Sequence, residues 1–205
     1  MNSNNQIKAI IFDLGNVLIH VDFENMLINR ADNKLNRSPK EVVEAAYADE
    51  LFKQFCRGDI GPTAFYKRLI KKYSLNMSYA AFEERWCDIF KPVEGMSQLL
   101  DILRPNFKIG LLSDTDPIHW RYVSKKYPYL QSIDNPSLSF ELGYMKPHPK
   151  TYIKAAENVG EPVQNCLFID DRMVNVDGAL KTGMKAVHFE NIEQLRSELR
   201  RMDIL

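Results

Sequence analysis

The chain has 205 residues, 45% hydrophobic and 26% charged, with 27 basic residues against 27 acidic ones. That length buries a sizeable core, in one large domain or in one domain with an insert, and the composition is neither disordered nor fibrous. A formal net charge of zero excludes the basic surface of a nucleic-acid or membrane-surface binder, so an anionic substrate must be met by a few placed groups.

In chain order, the start is polar (Asn2, Ser3, Asn4, Asn5, Gln6), and the apolar run behind it is interrupted by Asp13 and Gly15, unlike a signal peptide. The apolar stretches near the start, 9–12 and 17–19, fall far short of the roughly 20 residues of a spanning helix. Residues 8–12 predict a first strand, apolar without polar alternation, as in a parallel sheet buried on both faces. From about His20 to Lys91 the pattern is helical, over 41–56, 62–73 and 79–90, with breaks at Gly58, Gly61-Pro62 and Ser78. The aromatics there, Phe52, Phe55, Phe65, Tyr66, Tyr73, Phe82, Trp86 and Phe90, recur at helical spacing and predict helix–helix packing. No second strand is expected until 108–112. Strands at 138–140, 166–169 and 185–189 then alternate with helices at 118–126, 149–159 and 174–182, after one at 97–103. This predicts an α/β, doubly wound, Rossmann-like parallel sheet core from residues 1–19 and 92–205, with a helical cap at 20–91 inserted after the first strand. Cys56, Cys87 and Cys166, odd in number and widely spaced, predict reduced, buried thiols in a cytoplasmic protein.

Ligands of an open parallel sheet bind outside the carboxyl ends of its strands. Asp13 follows the first strand, Ser113 and Asp114 the second, Lys146 the weak third, and Asp170 and Asp171 the fourth. Three carboxylates at one point repel unless a hard cation sits among them, and Mg²⁺ takes carboxylate and carbonyl oxygens. A hydroxyl, a lysine and the N–H groups of the turn after Asp13 can hold a phosphate dianion, with Asp13 as nucleophile through an aspartyl-phosphate.

The segments Phe12-Asp-Leu-Gly-Asn-Val-Leu18, Leu111-Leu-Ser-Asp-Thr115, Gly143-Tyr-Met-Lys-Pro147 and Phe168-Ile-Asp-Asp-Arg-Met-Val-Asn175 resemble, in order, the four motifs of the haloacid dehalogenase-like hydrolase superfamily. They look most like the branch containing bacterial glucose-1-phosphate phosphatase, with the phosphatase domain of epoxide hydrolase a more distant relative. The resemblance implies Asp13 as nucleophile and metal ligand, the Gly15 carbonyl as a further ligand, and Ser113 on the phosphate with Asp114 beside it. Lys146 would pair with phosphate and Asp13. Asp171 would ligate Mg²⁺ directly, Asp170 directly or through water, and Asn175 would orient that group. The implied substrate is a small phosphorylated metabolite, a sugar phosphate, with no nucleic-acid or membrane partner and a monomer or small homo-oligomer as the working form.

One departure stands out: where most phosphatases of the superfamily carry a second Asp as proton relay, this chain has Gly15. Water on the metal, or His20 or Asp22, are the stand-ins, or a sugar 1-phosphate whose leaving group needs little protonation. Blander readings are a turn at Asp13, helix caps at 113–115 and 170–171, a surface lysine at 146, and structural or solvated roles for His148 and His188. Trp120 is expected in the core, and His119 beside it as a weak candidate for touching substrate. Rival functions are a metal-free 2-haloacid dehalogenase, opposed by the acidic pair; a weak binding or regulatory protein, suggested by Gly15; and a phospho-receiver domain, whose acidic pair belongs at the first strand.

Overall fold

The computed structural model describes residues 6–22, 39–133 and 135–205; residues 2–5 of the polar start and 23–38 of the expected insert lie outside them. The first strand, β1 (Ala9–Phe12), lies at the centre of a five-stranded sheet of order β5-β4-β1-β6-β7. Its partners are β4 (Lys108–Ser113) and β6 (Cys166–Asp170), flanked by β5 (Ser137–Leu138) and β7 (Lys185–His188). Every pairing is parallel, with Ile10 opposite both Ile109 and Leu167.

The unbroken apolar character of β1 follows from burial on both faces. Ile10 and Phe12 join one core with Leu99, Leu100, Val123 and Leu195, whereas Ala9 and Ile11 join another with Tyr152, Ala155 and Phe168. The first face carries α5 (Met96–Leu103), α6 (Pro117–Lys126) and α10 (Ile192–Arg201), and the second carries α8 (Pro149–Asn158) and α9 (Met173–Lys181). Gly178 sets the close approach of α9 to α8, because a Cβ there would come within 2.6 Å of the Tyr152 hydroxyl and 2.7 Å of Pro147. That contact fixes the loop carrying Lys146.

Between β1 and β4 the chain forms β2 (Ile19–Val21), α1 (Pro39–Ala48), α2 (Glu50–Cys56), α3 (Pro62–Tyr73), α4 (Tyr79–Cys87) and β3 (Phe90–Pro92). β2 and β3 pair antiparallel as a small second sheet, correcting the expectation of no strand before 108. The expected helix over 41–56 is two helices. Asp49 breaks it by capping α2, its Oδ1 accepting the Leu51 N–H at 2.9 Å. The expected helix over 79–90 stops at Cys87, and the strand expected at 138–140 is only Ser137–Leu138, with Ser139 opening the short α7 (Ser139–Leu142). Phe55, Phe65, Leu69, Phe82 and Trp86 form a separate apolar cluster sealed by Ile118 of α6. Gly58, with φ +75°, seats the end of α2 on the sheet domain, where a Cβ would overlap the Phe140 carbonyl. Cys56, Cys87 and Cys166 are free and buried, and no helix among the described residues is long and apolar enough to cross a membrane.

Candidate active site

The parallel strands deliver the expected polar residues to one edge. Asp13, one residue beyond β1, is held by its own N–H on the Ile169 carbonyl at 2.8 Å, and its Oδ1 accepts the Leu14 N–H at 2.7 Å. Lys146 Nζ lies 2.8 Å from Asp13 Oδ1 and 2.7 Å from Asp170 Oδ2, with Lys146 and Asp170 both buried. Asp170 is fully satisfied within the protein. Besides Lys146 it accepts the Arg172 N–H at 2.8 Å and the Asn175 amide at 3.0 and 3.1 Å.

Oxygens of Asp13, Asp170 and Asp171 all lie within 4.8 Å of one another, the single such carboxylate cluster among the described residues. Asn16, in a left-handed conformation with φ 56°, offers its amide to Asp171 Oδ2 at 3.4 Å while its Oδ1 accepts the Val21 N–H at 3.0 Å. Burial raises the Asp13 carboxyl well above the usual carboxylate range; Lys146 opposes the rise, and Asp170 and Asp171 add to it. Burial would lower the Lys146 ammonium, but Asp13, Asp170 and Asp114 lift it well above its ordinary value. Burial, then Asp170, raises Asp171 as well. A carboxylate set this crowded around one ammonium fits a hard divalent cation, which relieves the repulsion that one lysine cannot.

Above the cluster lies a cavity of about 340 Å³. Its floor includes Asp13, Gly15, Asn16, Ser113, Asp114, Asp171 and Arg172, and the insert contributes Glu44, Tyr47, Phe52, Ile89 and Phe90 to its wall. Tyr47 lies over Arg172, with the guanidinium carbon 4.2 Å from the ring centroid, joining α1 to the β6–α9 turn. A larger groove, about 1080 Å³, sits at the other end of the strands beside Lys8, Phe107 and Lys108, away from the carboxylate cluster. Chemistry, not size, marks the site.

Several secondary expectations change. Asp116, rather than residues 113–115, caps α6, accepting the Ile118 and His119 N–H groups at 2.9 and 3.0 Å. His119 lines the cavity, but its Nδ1 is 2.8 Å from Asp116 Oδ2 and its Nε2 is 2.8 Å from the Trp86 carbonyl. Its ring stacks on Trp86 at 5.0 Å, so it ties the insert to the sheet domain. Burial alone would raise Asp116, yet His119 and Trp86 hold it below its ordinary value. His148 and His188 keep the structural roles expected of them, His148 capping α8 and His188 facing the Asp171 carbonyl at 2.9 Å, whereas Trp120, expected in the core, is half-buried against it. Neither His20 nor Asp22 lines the cavity, and Asp22 pairs with Lys91 at 3.4 Å. Glu44, Tyr47 and Arg172 escaped sequence reasoning. Only Arg172, adjoining the acidic pair, carried a local signal.

Asp114 is distinctive. Its Oδ1 accepts the Lys146 N–H at 3.0 Å, but its Oδ2 is buried without a partner. Burial pushes its carboxyl from the ordinary 3.8 up to about 6, against Lys146 and its N–H. A raised carboxyl destabilises the fold once ionised: the penalty is absent below about pH 3.8, grows between the two values and is complete above about pH 6. With metal chelated, Asp114→Asn is therefore expected to be more stable than wild type at pH 8, by about 3 kcal/mol at most, and equal to it near pH 4. Urea unfolding at both pH values checks this, and a pH-independent difference would refute it.

The model of the haloacid dehalogenase-like hydrolases matches residues 7–183 of this chain. A D-ribitol-5-phosphate phosphatase of Bacteroides thetaiotaomicron is 24% identical over 202 residues, spanning 94% of this chain and 97% of that one. A crystal structure of a HAD family enzyme from the same organism, in complex with magnesium and inorganic phosphate, matches with a TM-score of 0.76 at 26% identity, covering 90% of this chain and 95% of the other. An L-2-haloacid dehalogenase of Xanthobacter autotrophicus shares the fold at 18% identity, with a TM-score of 0.65 and coverage of 98% and 85%.

Proposed function

The chain belongs to the haloacid dehalogenase-like hydrolase family, and from that premise we propose that it is a Mg²⁺-dependent phosphatase of small sugar or sugar-alcohol phosphates, working through an aspartyl-phosphate on Asp13. The observation that carries this reading is the Asp13 carboxylate, held 2.8 Å from Lys146 inside a three-carboxylate cluster at the mouths of β1 and β6. Asp13, Asp171 and the Gly15 carbonyl would hold Mg²⁺, with Asp170 ligating directly or through water. Bound there, the cation supplies charge neutralisation on the transferring phosphoryl group.

Ser113 and Lys146 bind phosphate oxygens, and Lys146 keeps Asp13 aimed at phosphorus. Asp13 attacks, the ester oxygen leaves, and water then hydrolyses the acyl phosphate. Residues 20–91 act as the cap. They close the cavity with Tyr47, Phe52 and Phe90, and the volume of about 340 Å³ suits a small metabolite. The relative acting on D-ribitol-5-phosphate supports an open-chain or cyclic sugar skeleton as the leaving group. Three free, buried thiols suit a reducing cytoplasm.

Mg²⁺-dependent phosphate release over a panel of sugar, sugar-alcohol and nucleotide phosphates tests the reading. Release is expected to vanish with chelator, return with Mg²⁺, and favour the small polyol and sugar esters. Halide release from 2-haloacids that ignores chelator, with no phosphate release from any ester, would replace it with the dehalogenase reading.

A further inference from the structure

An alkoxide cannot leave phosphorus readily without a proton, and Gly15 supplies none. The titratable groups lining the cavity are Asp13, Glu44, Tyr47, Asp114, His119 and Asp171, with Arg172 beside them. Asp13 is committed to phosphorus and Asp171 to the metal. Both nitrogens of His119 face acceptors at 2.8 Å, which leaves neither for the substrate. Tyr47 is pushed far above its ordinary value by burial and cannot alternate between acid and base near neutrality. Glu44 is exposed and already has a partner of its own.

Asp114 alone offers an uncommitted atom. Its Oδ1 is anchored by the Lys146 N–H at 3.0 Å, which fixes the carboxyl plane, and its Oδ2 is buried without a partner. Buried carboxylate oxygens are ordinarily satisfied, and Asp114 lines the cavity together with Ser113 and Asp13, so its orphan oxygen is waiting for a donor or carrying a proton. We propose, resting on the phosphatase reading, that Asp114 is the general acid and base of this enzyme, doing from the end of β4 the work that Gly15 cannot do beyond β1.

In the first step an Asp13 oxygen bonds to phosphorus as the bond from phosphorus to the ester oxygen breaks. The electron pair stays on that oxygen, which takes the proton from Asp114 Oδ2. In the second step water attacks phosphorus and gives its proton back to Asp114 Oδ2, while the bond to Asp13 breaks and its electron pair returns to the carboxylate. Ester and water become alcohol and phosphate, and Asp114 ends as it began. Its surroundings suit the alternation. Burial raises the carboxyl to about 6, with Lys146 and Arg172 opposing and Asp170 supporting the rise. Tyr47, Tyr152 and Cys56 complete the titratable groups that feel it. A general acid and base works best with its pKa near the operating pH.

The test compares wild type and Asp114→Asn on 4-nitrophenyl phosphate, whose leaving group needs no proton, and on an alkyl phosphate, whose leaving group does. The amide keeps the size and the Lys146 anchor. The variant is expected to release about one equivalent of 4-nitrophenolate in a burst and then turn over about 10²–10⁴-fold more slowly than wild type. With the alkyl ester it should show the same or larger loss and no burst. Turnover of the alkyl ester within about threefold of wild type would overturn the assignment, as would equal losses on both esters with no burst, the mark of a binding role. If the variant does not fold, wild-type kcat/KM across a series of phosphate esters decides: near-independence of leaving-group basicity is expected, and a steep fall overturns the proposal. Wild type inert toward every ester with Mg²⁺ present would instead sink the underlying phosphatase reading.

Discussion

Asp13→Asn is expected to lower Mg²⁺-dependent phosphate release by about 10⁴-fold or more while leaving the protein folded, because removal of the proposed nucleophile would leave only binding and electrostatic assistance. The amide is nearly isosteric, and the fold has reason to tolerate it. Burial, with Asp170 and Asp171 nearby, already makes the charged form of Asp13 unfavourable in the folded protein, even against Lys146. Without metal the variant should therefore melt at or above the wild-type temperature. With Mg²⁺ the order changes, since a ligand that binds only the native state stabilises it in proportion to its affinity. Wild type should show a Mg²⁺-dependent rise in Tm that is smaller in Asp13→Asn. Phosphate release that survives the substitution would sink Asp13 as nucleophile. An unchanged Mg²⁺ response would remove it from the metal site.

The central strands were readable because burial on both faces leaves no alternation to mislead. Residues 8–12, 108–112 and 166–169 match β1, β4 and β6 to within a residue at either end. What the sequence hid was short or decided by docking. β2 and β3 have three residues each, too few for a period, and exist only because they pair with each other across the insert. Ser139–Leu142 continues the apolar run of β5 but turns into a helix, with Ser139 Oγ bound to both Thr115 N and O at 3.0 Å. The final helix, α10, lies in a charged stretch where Leu195 and Leu199, four apart and fully buried, are too sparse an apolar signal to announce it. At the site, the strand-end residues were legible because a parallel sheet sends every strand end to one edge. Tyr47 was not. Aromatic spacing identifies a packed helix, but only tertiary docking turns that ring over Arg172 and into the cavity. Nor can a sequence show that one Asp114 oxygen is paired and the other is not.

Lys146→Met should be the most damaging substitution for the fold itself. Nζ is the shared partner of two buried carboxylates, Asp13 at 2.8 Å and Asp170 at 2.7 Å, and removing one member of a buried ionic set typically destabilises by about 3–5 kcal/mol. The methionine fills the space beside Phe168, over whose ring the ammonium sits at 5.4 Å, so the loss is one of charge rather than volume. The pH dependence has a definite sign. The ammonium's contribution is present at every pH below its ordinary 10.5 and is lost only as pH rises through its higher folded value. Asp13, already raised by burial, sets the behaviour at lower pH: ionised and without its ammonium it destabilises the variant, and protonation relieves it. The gap to wild type should thus be widest above neutrality and narrow as pH falls toward 4. Mg²⁺ should also narrow it by returning positive charge, without restoring turnover, because in the proposed mechanism the phosphate and Asp13 would still lack their ammonium. The double variant Asp13→Asn/Lys146→Met isolates the cause. If uncompensated charge is what destabilises Lys146→Met, removing one of the two carboxylates must recover part of the loss, so urea unfolding should give clear positive coupling between the sites. Additive losses would mean that Lys146 holds the fold by packing rather than by charge.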